Sequence, residues 1–320
     1  MLRGSIVDPR RCRVCVELSF DMSGYQSVLR PGLFDGRTIL VTGGGTGIGR
    51  CTAHELASLG ARVVIAGRRE NVLATTADEI ASDGGRCDFE TMDIRDGESV
   101  NAGVARIVER CGPIHGLFNN AGGQFSAPAA KVSESAWEKV VDLNLNGTFR
   151  VTRAVFDHSM KEHGGAVVSM LADIRSGYVG MAHSSAARAG IQNLTITLAL
   201  EWARNDVRLN CVAPGTILAA GMRTYPPAVQ EAAVRGASRV PSARLGTESE
   251  VSAVVCFLLS PGAAFVTGQT IAIDGGSSFQ KSVLYDVAKH APTTQFDGFH
   301  RREDWSGTPY EKLAEPKAED

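Results

Sequence analysis

Short runs of β-branched and aliphatic residues alternate with amphipathic stretches between residues 37 and 274. The apolar runs predict buried strands, because a parallel sheet is covered on both faces and its strands read as nearly continuous hydrophobic segments. Seven runs qualify: Thr38–Val41, Val63–Ala66, Phe89–Met92, Leu117–Phe118, Val167–Met170, Leu209–Val212 and Thr270–Ile273. Their alternation with helical patterns predicts one α/β domain, a doubly wound fold with a seven-stranded parallel sheet.

The segments between these runs carry apolar residues at helical spacing. In Asn71–Ala81, Val72, Leu73 and Ile80 share one face, which predicts a surface helix packed on the sheet. The stretch 216–240 is instead rich in Ala, Gly and Pro and has little hydrophobic pattern. It predicts a mobile flap over a substrate, with a surface loop carrying a short helix as the alternative.

Three segments divide the chain. They are an N-terminal extension (1–33), the α/β domain (34–279) and a polar C-terminal extension (280–320) that is too pattern-poor for a second domain. Acidic residues interrupt the arginines of the first segment, so it makes a poor mitochondrial presequence, and we expect Met22 to be the biological start. The ending Lys317–Asp320 is not a Ser-Lys-Leu type of peroxisomal address.

Composition narrows the class of function. The 320 residues are 43% hydrophobic, enough for one large core, and a net charge of -2 gives no basic surface for nucleic-acid phosphates. No apolar run approaches the roughly 20 residues that span a bilayer. Seven cysteines without disulfide-like spacing fit a reducing compartment, and the lone pair Cys12 and Cys15 is too little for a metal site. We therefore expect a soluble cytoplasmic protein that binds no nucleic acid, membrane or metal.

A glycine-rich segment after the first predicted strand reads Thr-Gly-Gly-Gly-Thr-Gly-Ile-Gly and opens a helix. Gly43 permits a tight turn, while Gly47 and Gly49 remove the Cβ atoms that would block a pyrophosphate and the sheet. Thr46 and Ile48 belong to the same helix start, whose free N–H groups bind phosphates. The segment predicts a nicotinamide-nucleotide site.

The second predicted strand ends without the acid that would hold the ribose 2′-hydroxyl of NAD. Arg68, with Arg69 or Arg50 nearby, can instead pair with a 2′-phosphate, which predicts NADPH as the cofactor. The alternative is a solvated arginine pair at a helix start. Asp93 and Ile94, after the third strand, are placed to contact the adenine edge, unless Asp93 only caps a helix.

Further motifs follow the later strands in order. They are Asn119–Gly122, Asp142–Gly147, Pro214–Gly215 and Asp274–Gly276. With them the chain resembles the short-chain dehydrogenase/reductase family over about residues 34–279. The resemblance implies a Rossmann-type domain and further cofactor contacts, from Asn120, Ala121, Gly122, Ser184, Arg188, Pro214 and Gly215.

Three stretches are similar to particular groups of enzymes within this family. Gly122–Phe125, Met160–Gly165 and His183–Gly190 are most similar to the trans-2-enoyl-CoA reductases of the peroxisomal type, and the 2,4-dienoyl-CoA reductases are next nearest. The resemblance therefore implies an acyl-CoA substrate.

The usual catalytic set of the family is Asn-Ser-Tyr-Lys, and only Asn144 matches it. Leu171 or Ala172 stands near the Ser position, Ser184 at the Tyr and Arg188 at the Lys. A Tyr activated by Lys serves alcohol–ketone chemistry, because it exchanges a proton with the oxygen on the carbon that gives or takes the hydride. In conjugate reduction the hydride goes to Cβ, and neutral donors can stabilise the charge on the thioester oxygen while water protonates Cα. The substitutions therefore favour double-bond reduction.

Several residues are candidates for the donors. Gln124 matches the position where the dienoyl-CoA reductases present an Asn amide to the thioester carbonyl, unless it only satisfies local backbone. Tyr178 is the best second donor, and otherwise an aromatic wall. Ser184 and Arg188 lie one helical turn apart, where they could hold the nicotinamide ribose and steady negative charge, unless Arg188 forms a salt bridge between subunits or on the helix surface. His183 is a weaker candidate acid, against a packed or surface histidine.

The expected function is NADPH-dependent reduction of the trans-2 double bond of an enoyl-CoA. Two alternatives stay open. One is a reaction on a carbonyl, alcohol or imine, or on a substrate other than a CoA thioester, with Tyr178 or His183 supplying the proton. The other is an NADPH-binding scaffold without catalysis. The resemblance also implies a homotetramer, assembled through helices that begin near Thr148 and Ser184.

Overall fold

Seven strands lie side by side in one parallel sheet in the computed structural model of the chain, which describes residues 24–25, 27–279 and 290–314. The strands are β1 (Thr38–Thr42), β2 (Arg62–Gly67), β3 (Arg86–Thr91), β4 (Ile114–Asn119), β5 (Gly165–Met170), β6 (Val207–Pro214) and β9 (Thr270–Ile273). Their order is β3-β2-β1-β4-β5-β6-β9, which confirms the predicted doubly wound, Rossmann-type domain. The order reverses direction between β1 and β4, the place where such sheets bind ligands. Two short strands, β7 (Ile217–Leu218) and β8 (Gly246–Thr247), form a separate parallel pair.

Helices cover both faces of the sheet. They are α1 (Gly47–Ser58), α2 (Glu70–Ser82), α3 (Gly97–Cys111), α4 (Glu134–Val141), α5 (Gly147–Val155), α6 (Lys161–His163), α7 (Ala182–Glu201), α8 (Pro227–Ala237), α9 (Glu248–Leu259) and α10 (Glu311–Ala314). Helices α4, α5 and α6 run into one another through π-helical turns at Asp142–Asn146 and Phe156–Met160. Short 3-10 turns lie at Ala129–Lys131, Ala203–Asn205, Ala220–Thr224, Pro261–Ala263 and Ser277–Phe279. Among the described residues, no helix is both long and apolar enough to cross a membrane.

Alternate side chains of the central strands enter two separate cores. Val41 and Ile65 pack on the face covered by α1 and α9. Leu40 and Val64 pack on the opposite face, under α3 and α5. Full burial of each such side chain contributes about 1.5–3 kcal/mol to folding. Burial on both faces explains why these strands read as continuous apolar runs rather than as alternating ones.

The strand predictions are least accurate at polar ends. β3 begins at Arg86 rather than Phe89, and β4 spans Ile114–Asn119 rather than Leu117–Phe118 alone. β3 lies at the edge of the sheet, and only Glu90 in it is buried. Its first residue, Arg86, is exposed and the next two are half-buried, so the hydrophobic pattern does not mark its beginning. The predicted helix Asn71–Ala81 is confirmed as α2.

Residues 216–240, called the flap below, are more regular than their composition indicates. A 3-10 turn leads into α8, and Pro227 occupies the first turn of that helix, where proline is tolerated. The short helix of the alternative is therefore present, while the motion of this segment over a substrate stays a prediction. The apolar face of α8 is small, and its partners come from the far end of the chain, which is why periodicity alone does not reveal it.

Residues 290–314, called the strap below, pack against the domain. Asp83, after α2, anchors them: Arg301 donates to its carboxylate at 2.6 and 3.0 Å, and Nε2 of His300 lies 2.9 Å from Oδ2. Nδ1 of His54 lies 3.3 Å from the same oxygen. The extension thus forms no second domain in the described part, while the domain boundaries at 34 and 279 stay predictions. The Cys12–Cys15 pair, Met22 and the ending Lys317–Asp320 lie outside the described residues.

His54, Asp83 and His300 also have metal-like spacing, with ligand atoms within 4.8 Å of one another. Two arginines already neutralise the charge of the carboxylates in and beside this group. Arg301 pairs with Asp83, and Arg50 pairs with Glu79, whose Oε2 lies 3.4 Å from Nε2 of His54. We therefore interpret the group as an ion-pair network that holds the strap.

We predict that acid weakens this network through His54. Burial, followed by the charge of Arg50, lowers the pKa of His54 from 6.5 to about 4. Between these pH values the His54 side chain is protonated in the unfolded chain and neutral in the folded chain. The contribution of His54 is therefore complete above pH 6.5 and is lost as the pH falls to about 4, by at most about 3 kcal/mol.

Urea unfolding of the parent and of His54→Asn between pH 7 and 4 measures this effect. The two chains share their other titrating groups, including Glu248, whose pKa burial raises to about 7 and which acts in the opposite direction. The free energy of unfolding should fall more steeply with acid in the parent. Parallel curves would contradict the prediction.

Candidate active site

The turn after β1 is closed by a side chain from the end of β4. Nδ2 of Asn120 donates to the carbonyl oxygens of Thr42 and Gly43, both at 3.1 Å. Gly43 has φ +65°, and a Cβ added to Gly49 would stand 2.4 Å from Nδ2 of Asn120 and from the carbonyl oxygen of Gly43. Only glycine fits at these two positions.

The hydroxyl of Thr42 fixes the same junction from the other side. It accepts from the backbone N–H groups of Asn120 and Ala121 at 3.1 Å and donates to the carbonyl of Phe118 at 3.4 Å. The ends of β1 and β4 are therefore held together at the point where the strand order reverses.

Helix α1 begins at this turn with its first N–H groups uncapped. The N-cap residue Thr46 makes no side-chain cap, and the first turn, which includes Gly47 and Ile48, contains no acid. Gly47 has φ +59°, which lets the chain turn into the helix. The positive end of the helix is thus available to an anion such as a pyrophosphate.

A cavity of about 190 Å³ opens beside the turn and combines residues from four strands. It is lined by Gly43, Gly45, Thr46, Ala66, Gly67, Arg68, Arg69, Val72, Leu73, Met92, Asp93, Ile94, Ala121, Gly122 and Leu143. Half of the predicted cofactor contacts thus line one cavity. Pro214 and Gly215 do not line this cavity; Gly215 lies against Asp274, where an added Cβ would stand 3.0 Å from its Cα.

The arginines predicted for a 2′-phosphate divide into two groups. Arg68 and Arg69 are exposed at the end of β2, on the rim of the cavity. Arg50 is instead engaged with Glu79 by two hydrogen bonds of 2.8 Å and donates to the carbonyl of Arg301. Arg50 therefore belongs to the network that holds the strap, and its predicted share in phosphate binding is not supported.

The acid of the third strand pairs with a neighbour. Asp93 holds Arg95 at 2.5 Å, and this hydrogen bonding lowers the pKa of Asp93. The cap of α3 is Asp96, whose carboxylate accepts from the N–H groups of Glu98 and Ser99. The alternative of Asp93 as a helix cap is therefore wrong. Ile94 lies buried beside it.

The predicted catalytic residues meet around the amide of Gln124. Ser184 Oγ donates to Oε1 at 2.5 Å, while Nε2 lies 3.2 Å from the hydroxyl of Tyr178 and 2.8 Å from that of Tyr225. The alternative of Gln124 satisfying local backbone does not hold. Tyr225, from the flap, was missed in the sequence because nothing in its local pattern distinguishes it from a surface residue.

Arg188 brings a positive charge beneath this group. Its guanidinium is buried and donates to the carbonyl oxygen of Met170, and burial lowers the pKa of Arg188 to about 10, so the side chain stays charged at neutral pH. Its Nε has no partner in the described part of the chain. A Cβ added to Gly122 would stand 2.7 Å from NH2 of Arg188. The alternative of a salt bridge on the helix surface is therefore wrong, while an intersubunit bridge is not tested by a single chain.

Asn144 is buried in the first π-helical turn, and backbone groups use its amide. Nδ2 donates to the carbonyl oxygens of Val140 and Gly123, both at 2.8 Å, and Oδ1 accepts from the N–H of Gly123 at 3.3 Å. With both amide hydrogens occupied, Asn144 positions the loop before Gln124 instead of offering a donor.

The remaining candidates are packed residues. Leu171, near the family's Ser position, lies in an apolar cluster. His183 is fully buried, accepts from the N–H of Ser184 at 2.7 Å and stacks edge-on against Phe125 with ring centroids 4.4 Å apart. The packed alternative for His183 is therefore confirmed.

Comparison with known proteins agrees with this geometry. Residues 43–278 match the family model described as enoyl-(acyl carrier protein) reductase. The peroxisomal 2,4-dienoyl-CoA reductase of Danio rerio is 34% identical over 267 residues, which are 82% of this chain and 88% of the relative.

Two solved structures are also similar to this chain. A citronellol catabolism dehydrogenase of Pseudomonas aeruginosa PAO1 is 52% identical with a TM-score of 0.72, over 79% of this chain and 100% of the other. A variant of actinorhodin polyketide ketoreductase, solved with NADPH, is 33% identical with a TM-score of 0.72, over 78% and 100%. The chain therefore belongs to the short-chain dehydrogenase/reductase family of oxidoreductases.

Proposed function

We propose that the protein reduces the trans-2 double bond of an enoyl-CoA thioester with NADPH. The observation that carries the proposal is the group of neutral donors, Tyr178 and Tyr225, that Gln124 holds above a buried Arg188 in place of a Tyr–Lys pair. The relative named 2,4-dienoyl-CoA reductase supports it, because its name describes reduction within an unsaturated acyl-CoA.

The hydrogen bonds of Gln124 direct the two hydroxyl groups. Because Nε2 donates to the oxygens of Tyr178 and Tyr225, both phenol hydrogens are free to point toward a ligand. Ser184 donates to Oε1, so in this arrangement the amide uses its oxygen on Ser184 and its nitrogen on the two tyrosines. Gln124 thus acts as a positioning residue, and the tyrosines present the donors that the sequence analysis expected from the amide itself.

When bound, the nicotinamide supplies the hydride that reaches Cβ of the acyl chain. The electron pair displaced from the double bond then collects on the thioester oxygen, where Tyr178 and Tyr225 donate and Arg188 contributes positive charge. Burial, and then the neighbouring Tyr225, raises the pKa of Tyr178, so its hydroxyl remains protonated at neutral pH. Water protonates Cα.

The choice of NADPH rests on Arg68. This side chain is exposed at the end of β2, where an NAD-binding site carries an acid. The uncapped start of α1 and the cavity beside it fit the pyrophosphate and the adenosine. A relative solved with NADPH supports the same cofactor.

A second candidate is oxidation or reduction at an alcohol or carbonyl carbon. The 52% identical relative is named a dehydrogenase of citronellol catabolism, which supports this candidate. Tyr178 would then exchange the proton with the substrate oxygen, since His183 is fully buried against Phe125.

We also infer a homotetramer. Large apolar side chains remain exposed on the outer surfaces of α4, α5 and α7, which is typical of an interaction surface. They are Trp137, Phe149, Ile196 and Leu200, from 38% to 78% exposed. The cytoplasmic location stays a prediction, supported by the free thiols of the five described cysteines.

The cofactor proposal predicts the effect of reversing one charge. Arg68→Glu removes a partner of the 2′-phosphate and adds the acid that a ribose hydroxyl prefers, so KM for NADPH should rise about 10- to 100-fold while KM for NADH falls. Initial rates with both cofactors measure this, and the exposed Arg204→Glu serves as the control for net charge. An unchanged preference in Arg68→Glu would contradict NADPH binding at this residue.

The substrate proposal predicts NADPH oxidation with trans-2-enoyl-CoA thioesters of short, medium or long chain, and none with 3-oxoacyl-CoA. Gln124→Ala releases both tyrosines and should lower kcat about 100-fold, the loss of an oxyanion donor. Tyr178→Phe should lose only part of the rate, because Tyr225 remains.

Other outcomes separate the alternatives. Turnover of the oxo compound alone, abolished in Tyr178→Phe, would establish carbonyl chemistry instead. Tight NADPH binding without turnover of any thioester would contradict the proposal and leave a substrate without CoA or a scaffold.

The assembly proposal predicts a tetramer in sedimentation velocity. Leu200→Glu places a charge on the exposed apolar surface, where it leaves the fold intact but opposes burial between subunits, so the assembly should dissociate to smaller species. A monomeric parent would contradict the inference.

A further inference from the structure

The strap continues past the region that matches the family model and packs against the flap. Its first part follows the loop before α9: the N–H of Thr293 donates to the carbonyl of Ser242 at 3.0 Å, and the hydroxyl of Thr247 donates to the carbonyl of Phe296 at 2.6 Å. Arg244 donates to the carbonyl oxygens of Thr293 and Thr294. This part is therefore tied to the domain by backbone groups.

The middle of the strap is fixed to the nucleotide-binding half. Phe299 is 3% exposed and lies under the guanidinium of Arg50, 5.3 Å from the ring centroid. The next two residues, His300 and Arg301, hold Asp83. The strap thus reaches the flap from an anchored position.

The last part of the strap packs against the flap. Trp305 and Tyr310 are 5% and 0% exposed, and their rings contact each other edge-on at 5.2 Å. The guanidinium of Arg223 lies over Trp305 at 4.8 Å and its Nε lies 3.7 Å from the carboxylate of Glu303. The apolar side chains in this cluster are Leu218, Met222, Ala233, Val234, Ala237, Leu245, Trp305, Tyr310 and Leu313.

Tyr225 stands between this cluster and the catalytic group. Its carbonyl oxygen accepts from Nε2 of Gln230 in α8 at 2.8 Å, so its backbone is tied to the helix that the strap covers. Its hydroxyl reaches Gln124 at 2.8 Å. The fully buried hydroxyl of Tyr310 has no partner in the described residues, which places an unsatisfied polar group inside the cluster.

We propose that the strap is part of the substrate site, and that Trp305 and Tyr310 are positioning residues that hold the flap so that Tyr225 stays against Gln124. These two rings are the largest side chains in the cluster, so removing either one would expose part of the apolar face of α8 to water. The role in substrate binding rests on the proposed function of Tyr225, whereas the effect on the flap does not.

Trp305→Ala in the full chain tests the proposal, with the exposed Lys312→Ala in α10 as the matched control. Hydrogen exchange of residues 220–237 should become at least about tenfold faster in Trp305→Ala, and KM for the enoyl-CoA should rise about tenfold, the effect of one lost hydrogen bond. KM for NADPH should stay unchanged, because the cofactor cavity has no strap residue in its lining. Lys312→Ala should match the parent in every measurement.

A double mutant identifies Tyr225 as the link. If the strap acts through Tyr225, Trp305→Ala should add little to the rise in KM that Tyr225→Phe causes alone. Fully additive effects, or unchanged exchange in the flap, would overturn the proposal.

Two further results apply if Trp305→Ala does not fold or if no thioester is turned over. If Trp305→Ala does not fold, Arg223→Ala removes the cation over the same ring without opening the core, and it should speed exchange in the flap in the same direction. If no enoyl thioester is turned over, the proposed function fails, and the exchange measurement still decides whether the strap holds the flap.

Discussion

The candidate site depends on a close approach of two backbones, at the turn after β1 and the end of β4. Asn120 donates to the carbonyl oxygens of Thr42 and Gly43. Gly49 lies so near that an added Cβ would overlap both the Asn120 amide and the carbonyl oxygen of Gly43. This contact fixes the uncapped start of α1 and the cavity beside it. The same strand end continues into the loop that carries Gln124, so a single junction orients both the nucleotide end and the reacting end of the site.

The second physical feature is a buried cation without a carboxylate. A guanidinium removed from water loses several kcal/mol of hydration, and one carbonyl oxygen, that of Met170, compensates only part of this loss. Among the described residues, the groups that face Arg188 are polar and neutral, with Asn144 and the tyrosines nearby. Because no resident acid among the residues that the structure describes neutralises this positive charge, it remains available to stabilise negative charge that develops during a reaction.

The sequence predicts those parts of the molecule that depend on local chemistry. The sheet and the turn around Gly43 and Gly49 follow from apolar runs and from backbone conformation, both of which act over a few residues. Tyr225 does not follow, because its place against Gln124 depends on contacts between residues far apart in the chain. The cap of α3 does not follow either, because Asp93 and Asp96 can each cap a helix; in the structure Asp93 pairs with Arg95 and Asp96 is the cap.

Tails of proteins accept insertions and substitutions more readily than sheets do. Here a tail residue, Trp305, packs on the helix that carries Gln230, the partner of the Tyr225 backbone. On the proposed role of the strap, a mutation at Trp305 changes how Tyr225 is held without changing any residue that touches the ligand. The region matched by the family model therefore does not contain every residue that supports the site.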